Sequence, residues 1–172
     1  MVQIREKDLD TPELINLAQQ LIPVIKQHFG KVLLNDRIDL TLALNADGVH
    51  LRSDSLPLPL ARRLLGSEKL IGLSTHSVQE VQYAENEGAD FVVLGPIFDT
   101  PSKQIYGHPL GLQTLEAACR VSHLPIFAIG GINPIHVPSV LSSGAYGIAV
   151  ISAILQTPNI IGSTHKFLSQ LP

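Results

Sequence analysis

The feature that most constrains the fold is a repeated alternation of a short apolar run with a longer segment of helical periodicity. The 172 residues contain seven such runs. They lie at residues 2–4, 32–34, 48–51, 70–73, 91–94, 126–129 and 147–151. Several runs carry β-branched residues on both faces, which is typical of parallel strands covered by helices. Seven strand–helix units with short connections therefore predict a parallel sheet with helices outside it.

Three of the intervening segments carry signals for helix ends. Thr11-Pro12-Glu13 predicts a hydroxyl cap at Thr11, a proline in the first turn and a carboxylate near the positive end of the helix dipole. Pro23 predicts a kink later in the same helix. Ser77-Val78-Gln79-Glu80 matches a capping box, and Asn133-Pro134 predicts the start of a helix that ends near Ser143-Gly144.

Two α/β folds fit this alternation. A (β/α) barrel has eight strands and typically about 250 residues, and this chain begins inside a strand, as if one unit were absent. An open doubly wound sheet usually has a glycine-rich first turn, and the opening VQIREKD is not one. We therefore expect an α/β fold, a TIM-type (β/α) barrel that lacks its first strand–helix unit, as a single domain over residues 1–172.

Composition and charge narrow the partners and the location. An apolar fraction of 45% supports a sizeable core, and a net charge of −3 disfavours nucleic acid as a partner. No apolar run approaches the roughly 20 residues that cross a bilayer, and the N-terminal ten residues lack a signal-peptide core. The single cysteine, Cys119, cannot form an internal disulfide and is interpreted as a buried apolar residue, so a cytoplasmic protein is expected.

Polar residues collect after the apolar runs, at the strand ends where parallel α/β folds bind ligands. Arg5 and Lys7 follow the first run, and Lys103 lies in the loop after the fifth. Three cations on one rim suit a pyrophosphate. Asp36 and Asp54 follow the second and third runs, where their carboxylates could hold Mg²⁺ through oxygen ligands.

A second group of residues follows the last two runs. Gly130-Gly131 comes after the sixth run and Ser152 after the seventh. Glycines and a small hydroxyl residue there can expose backbone N–H groups at a helix start, which is the usual phosphate site of a barrel.

Each of these features also has a simpler interpretation. Arg5-Glu6-Lys7 fits a solvated strand end, Asn35-Asp36 a helix cap and Gly130-Gly131 a tight turn. His50, His76 and His108 are interpreted as structural or solvent-facing. The joint occurrence of so many polar groups at one end of the strands favours a ligand site.

Eight segments together resemble the ordered signature of the thiamine phosphate synthase/TenI family, over nearly the whole chain. They are Gln3–Lys7, Leu34–Arg37, Ala46–Leu51, Gly72–His76, Gly88–Phe91, Gly95–Phe98, Ala128–Ile132 and Ile151–Ile154. The set is specific for the superfamily and less specific for the activity. The resemblance implies a (β/α)₈ barrel and a transferase of thiamine biosynthesis. That transferase joins hydroxymethylpyrimidine diphosphate to thiazole phosphate and releases pyrophosphate with Mg²⁺.

The resemblance also implies residue roles. Departure of pyrophosphate from a pyrimidine carbocation, which the thiazole nitrogen captures, requires cations and a dry pocket and no nucleophilic side chain. Gln3 would contact the pyrimidine, Ser74 would lie between the substrates, and Asp36 would bind Mg²⁺. The residues implied to hold the diphosphate are Arg5, Lys7, Asn35 and Lys103. Those implied to hold the thiazole phosphate are Thr100, Ser102, Gly131, Ile151 and Ser152.

Three departures from the family pattern bear on the activity. The second metal-binding aspartate of the family aligns with Ser55, with Asp54 one position early. The missing first unit leaves an edge that a homodimer partner or a rearranged terminus could cover, unless the chain is a fragment of a longer product. Pro96 stands where TenI-type thiazole tautomerases carry a histidine. A synthase-type transferase is therefore expected, with a tautomerase or a non-catalytic phosphate-binding paralogue as alternatives.

Overall fold

The computed structural model describes residues 1–100 and 108–172, which form seven strands alternating with helices. The strands are β1 (Val2–Ile4), β2 (Val32–Asn35), β3 (Gly48–Leu51), β4 (Leu70–Thr75), β5 (Phe91–Leu94), β6 (Ile126–Ile129) and β7 (Gly147–Ala149). The helices are α1 (Thr11–Gln27), α2 (Ile38–Ala43), α3 (Leu58–Leu65), α4 (Val78–Asn86), α5 (Gly111–Val121), α6 (Val137–Ser142), α7 (Ser152–Leu155) and α8 (Ile160–Leu168). The strand–helix alternation predicted from the apolar runs is confirmed.

The described chain divides into two compact units. Unit 1 comprises Met1–Leu73 with Glu87–Asp90, and unit 2 comprises Ser74–Asn86 with Phe91–Pro172. The expectation of a single domain over residues 1–172 stays a prediction.

Within each unit the strands pair in parallel and in chain order. In unit 1, β1 pairs with β2, β2 with β3, and β3 with β4. In unit 2, β5 pairs with β6 and β6 with β7. Parallel pairing in chain order places the carboxyl ends of successive strands at the same edge, which is the edge that concerns function.

Helix α1 is capped by Asp10, so the prediction of a Thr11 cap is wrong. The Asp10 carboxylate accepts a hydrogen bond from the Glu13 N–H at 2.9 Å, and the Asp10 N–H donates to the Glu13 carboxylate at 3.0 Å. Asp10 has extended backbone, as a cap requires, whereas Thr11 is already the first helical residue. The helix continues through Pro23 to Gln27. The kink expected at Pro23 stays a prediction.

The core of unit 1 joins α1 to β1 and β2. The apolar face of α1 buries Leu14, Ala18 and Ile22, which recur at a spacing of four residues. They cluster with Ile4, Val32 and other strand residues. Full burial of a leucine, isoleucine or valine side chain contributes about 1.5–3 kcal/mol, which holds β1 in place although it lies at the edge of unit 1's strands.

The predicted capping box of α4 is half formed. The Ser77 hydroxyl accepts a hydrogen bond from the Glu80 N–H at 3.1 Å, as predicted. The Glu80 carboxylate instead accepts from the N–H of His76 at 2.8 Å, one residue before the expected donor. The helix predicted from Asn133-Pro134 is confirmed as a 3₁₀ turn over Pro134–His136 followed by α6.

Candidate functional site

The register of unit 1 brings together the residues that follow its first three strands. Ile4 lies beside Leu34 in the β1–β2 pair, and Asn35 lies beside His50 in the β2–β3 pair. The side chains that follow these strands line an open cavity of about 410 Å³. Its charged and polar lining residues are Arg5, Glu6, Lys7, Asn35, Asp36, Arg37 and Arg52.

The cavity is more cationic than the chain as a whole. Four cations face two carboxylates in its lining, on a chain whose net charge is −3. Arg5 and Lys7 are exposed to solvent, so an incoming ligand can reach them. A concave surface with a local excess of one sign attracts ligands of the opposite sign. The arrangement therefore suits an anion, as the sequence predicted for this rim.

Asn35 is oriented by Gln3, another predicted site residue. The Gln3 Nε2 donates a hydrogen bond to the Asn35 Oδ1 at 2.8 Å. With its oxygen engaged in this way, the Asn35 NH₂ group is the part that it can present to an anionic ligand. The helix-cap interpretation of Asn35-Asp36 is wrong, because α2 begins at Ile38 and the residue at its cap position is Arg37.

Asp36 adopts an uncommon backbone conformation at the cavity wall. Its φ is 61°, in the left-handed region that aspartate tolerates better than most residues. Its N–H donates to the His50 carbonyl oxygen at 2.9 Å, which fixes the turn after β2. The Asp36 carboxylate accepts from Arg52 at 3.0 Å. Arg52 also lies 3.4 Å from Asp54, which is largely exposed.

Ser55, at the position where the resemblance implied a second metal-binding aspartate, has a local structural role. Its hydroxyl accepts a hydrogen bond from the Arg52 N–H at 2.8 Å, and its own N–H donates to the Arg52 carbonyl oxygen at 3.1 Å. The turn from Arg52 to Ser55 is thereby closed by the hydroxyl side chain.

The donors present fit Mg²⁺ only if the metal shares its coordination with a ligand. Within residues 1–100 and 108–172, no group of three or more His, Cys, Asp or Glu side chains is placed to hold a metal by itself. Mg²⁺ in proteins is commonly held by one or two carboxylates plus substrate phosphates. Asp36 lines the cavity and can act as such a carboxylate.

His50 lies buried in β3, behind the charged residues. Only 3% of its surface is exposed. Its pKa is lowered to about 4, mainly by burial and further by the charge of Arg5, against an opposing effect of Asp36. His50 is therefore neutral at pH 7 and adds no charge to the site, in keeping with the structural role expected for it.

Arg37 and Arg52 also line the cavity, although neither was expected from the sequence to have a role there. Arg37 is held by Asp39 at 2.7 Å and by the Thr11 hydroxyl at 3.2 Å. The hydrogen bond from Arg37 lowers the pKa of the Asp39 carboxyl, so the pair stays ionised at neutral pH. The signal that could have identified both arginines is their position just after β2 and β3, the same rule that selected Arg5.

Unit 2 contains the other predicted site residues that the structure describes. Ser74 lies near the end of β4, and Ile151 and Ser152 lie at the start of α7. The Thr100 hydroxyl donates to the Phe98 carbonyl oxygen at 3.1 Å. Ser102 and Lys103, the remaining members of the predicted phosphate loop, lie outside the described residues.

Gly130 and Gly131 form a turn that packs against the segment 95–99. Both have positive φ, 95° and 63°. The Phe98 N–H donates to the Gly130 carbonyl oxygen at 3.0 Å, and a Cβ on Gly131 would lie 2.4 Å from the Asp99 carbonyl oxygen. The His136 ring stacks on Phe98 at 4.0 Å, and its Nδ1 lies 3.2 Å from the Gly131 carbonyl oxygen. These two positions accept only glycine, because backbone approaches backbone there.

Comparison with known proteins identifies relatives over nearly the whole chain. The family described as thiamine monophosphate synthase matches residues 1–154. A thiamine-phosphate synthase of Clostridium novyi (strain NT) is 44% identical over 164 residues, which cover 95% of this chain and 80% of the relative. A thiamine-phosphate synthase of Moorella thermoacetica is 39% identical over 165 residues, covering 96% and 79%.

A solved structure shares the fold. Thiamine phosphate pyrophosphorylase from Pyrococcus furiosus matches with a TM-score of 0.90 and 31% identity, covering 98% of this chain and 80% of that one. The resemblance noted from the sequence and the prediction of a TIM-type (β/α) fold are both confirmed. The described residues contain seven of the eight strands that such a barrel has. In the described part of the chain, none of the helices has the length and apolar character needed to span a membrane.

Proposed function

Because the chain belongs to the thiamine monophosphate synthase family, we propose that it is a transferase that joins hydroxymethylpyrimidine diphosphate to thiazole phosphate and releases pyrophosphate. The observation that supports this most directly is the cavity of unit 1, where cations and the Asn35 amide gather at the carboxyl ends of parallel strands. A diphosphate is the part of these substrates that such a cavity would bind.

The residues of unit 1 act in this proposal on the leaving group. Arg5 and Lys7, both exposed, would donate charge-assisted hydrogen bonds to diphosphate oxygens, with the Asn35 amide beside them. Their contribution grows as negative charge develops on the departing pyrophosphate, so they stabilise the transition state more than the ground state. Gln3 keeps the Asn35 amide oriented and would also contact the pyrimidine.

Mg²⁺ bound with the diphosphate would add positive charge at the leaving oxygens. Asp36 and Asp54 are the carboxylates proposed to hold it. Arg52 contacts both carboxylates, so it shares their charge with any metal that binds.

The residues of unit 2 would hold the second substrate. We propose that the thiazole phosphate is bound by Thr100, Ser102, Gly131, Ile151 and Ser152. Ser74 would lie between the two substrates, and Lys103 would bind the diphosphate. The positive φ of Gly131 turns its backbone in a way that can present an N–H group to phosphate. The captured carbocation needs no protein nucleophile, so these residues have only to bind and position the substrate.

The decisive experiment is an incubation of the purified chain with both substrates and Mg²⁺, followed by chromatography for thiamine phosphate. Product that requires both substrates supports the proposal. No product at high enzyme concentration, from protein shown to be folded, contradicts it. Thermal stabilisation by thiamine phosphate or pyrophosphate without turnover would indicate a binding protein instead.

Two expectations from the sequence remain predictions. A cytoplasmic location suits the phosphorylated substrates proposed here. A homodimer that covers the edge of β1 would appear as twice the monomer mass in analytical ultracentrifugation.

A further inference from the structure

We propose that Arg52 is an anion-binding residue of the cavity, which exchanges the Asp36 carboxylate for the phosphate oxygens of the ligand. The inference rests on the proposed function for its choice of ligand class, a diphosphate. It goes beyond that function in adding a cation at a position for which the family resemblance supplied no role.

The contacts of Arg52 describe a guanidinium held at the cavity wall by carboxylates. Its Nε and one terminal nitrogen each lie 3.0 Å from the same oxygen of Asp36, and its other terminal nitrogen lies 3.4 Å from Asp54. The Arg52 side chain is 45% exposed and that of Asp36 24%. Ion pairs this accessible to water are weak, so a ligand with more charge can displace the carboxylates at little cost.

A diphosphate is the better partner for this guanidinium. Arginine presents five N–H donors in a planar fork that matches phosphate oxygens in pairs. Asp36 engages the fork through one oxygen only. A diphosphate in the same cavity would offer several oxygens and more negative charge to Arg52, together with Arg5 and Lys7.

The backbone at Arg52 is prepared for this exchange. Ser55 holds the Arg52 N–H at 2.8 Å and donates its own N–H to the Arg52 carbonyl oxygen at 3.1 Å. The turn can therefore stay in place while the guanidinium changes partners. At the place where the resemblance implied a second metal-binding carboxylate the chain has Ser55, and Arg52 would supply positive charge from a side chain instead.

The exchange couples anion binding to cation binding. When Arg52 moves to the phosphate oxygens, the Asp36 carboxylate becomes available to a divalent cation. Coupling of this kind is reciprocal, so the cation must in turn favour the anion.

The first test titrates inorganic pyrophosphate into the full chain by calorimetry, with EDTA and no divalent cation. R52Q should weaken the affinity about tenfold or more, as loss of a charge-assisted contact does, and R52K should fall between R52Q and the wild type. The control R63Q makes the same charge change on the exposed face of α3, and its affinity should stay within about twofold. Equal affinities of R52Q and the wild type would overturn the proposal.

The second test uses the sign of the effect at Asp36. D36N removes the competitor for Arg52, so metal-free pyrophosphate should bind about three- to tenfold more tightly, and this gain should vanish in R52Q/D36N. A gain that persists in the double variant means general electrostatics rather than exchange, and overturns the proposal. If circular dichroism shows that R52Q does not fold, the proposal requires two other results together. R52K must bind pyrophosphate more weakly than the wild type, and D36N must bind it more tightly.

Mn²⁺ supplies a readout without substrates. Measured by electron paramagnetic resonance without substrates, R52Q should bind Mn²⁺ more tightly than the wild type, because the Asp36 carboxylate no longer pairs with the Arg52 guanidinium. Unchanged Mn²⁺ affinity would show that Arg52 does not compete with a cation for Asp36, and would overturn the exchange.

Turnover separates this inference from the proposed function. Wild type that makes no thiamine phosphate, while R52Q still loses pyrophosphate affinity, would remove the function and keep the inference. Wild type that turns over, while R52Q binds pyrophosphate unchanged, would keep the function and remove the inference.

Discussion

The cavity of unit 1 and the glycine turn of unit 2 each contain predicted site residues, and they are built in opposite ways. The cavity uses long charged side chains such as Arg5 and Lys7, which are exposed. The turn uses the backbone of Gly130 and Gly131, packed against residues 95–99. We therefore expect that changing a side chain of the cavity mainly weakens the proposed ligand binding, whereas adding a methyl group in the turn lowers the stability of the fold.

The largest effect is expected from Gly131→Ala. Its Cβ would lie 2.4 Å from the Asp99 carbonyl oxygen in a backbone with φ of 63°. Overpacking and left-handed strain together should lower the free energy of unfolding by about 4 kcal/mol, measured in urea. The control Gly66→Ala shares the positive φ, but its Cβ would meet no atom of the described residues within 4 Å, so it should cost only about 1 kcal/mol. Equal losses of unfolding free energy in the two variants would show that the close backbone contact at Gly131 does not destabilise the alanine variant.

Acid should destabilise the protein through His50, which lies buried in β3 behind the cavity of unit 1. The native pKa of about 4 lies below the ordinary 6.5, so the unfolded state binds more protons between these values. Stability should be complete above pH 6.5 and fall by about 3 kcal/mol as the pH drops toward 4. His50→Gln should flatten this part of the pH profile in urea unfolding, and the exposed His165→Gln should leave it unchanged. A wild-type profile that is flat over this range would show that the native ring is not held neutral.

Arg5→Gln sharpens the contrast by separating activity from stability. Loss of one preorganised cation from the cavity should lower kcat/KM by about 10²-fold, equivalent to about 2.7 kcal/mol. Because Arg5 is exposed, the free energy of unfolding should change by less than about 0.5 kcal/mol. R63Q is the matched control for both measurements. A large loss of stability in Arg5→Gln would mean that the cavity is structural as well.

The smallest effect is expected at the cap of α1. This helix packs against β1 and β2, the strands that lead into the cavity, but its cap residue Asp10 does not line the cavity. Asp10→Ala removes the carboxylate that accepts from the Glu13 N–H, one half of the capping box, and should lower the free energy of unfolding by about 1 kcal/mol. Thermal unfolding of Asp10→Ala against the neighbouring Asp8→Ala checks it. If Asp8→Ala lowers the free energy of unfolding by the same amount, the change in net charge and not the loss of the cap is responsible.

Much of the fold could be predicted because its signals are local. Apolar periodicity located the seven strands of the described residues, and the polar position after each apolar run selected Arg5, Lys7 and Asn35, which line one cavity. The prediction of a Thr11 cap was wrong because Asp10 and Thr11 are adjacent and each has a side-chain oxygen that could cap the helix. Only the backbone conformation shows that Asp10 is the cap. Side-chain partners such as those of Arg52 could not be predicted, because they depend on rotamers and on which turn Ser55 closes.

The amino-acid sequence by itself determined the order of elements, the family and the edge at which we propose that ligands bind, because each depends on spacing along the chain. Only the tertiary structure decided that Arg52 holds Asp36 and that Gly131 meets the backbone of Asp99. Such contacts depend on distances between residues remote in sequence, and an ångström of displacement decides whether a charge is paired or a methyl group fits.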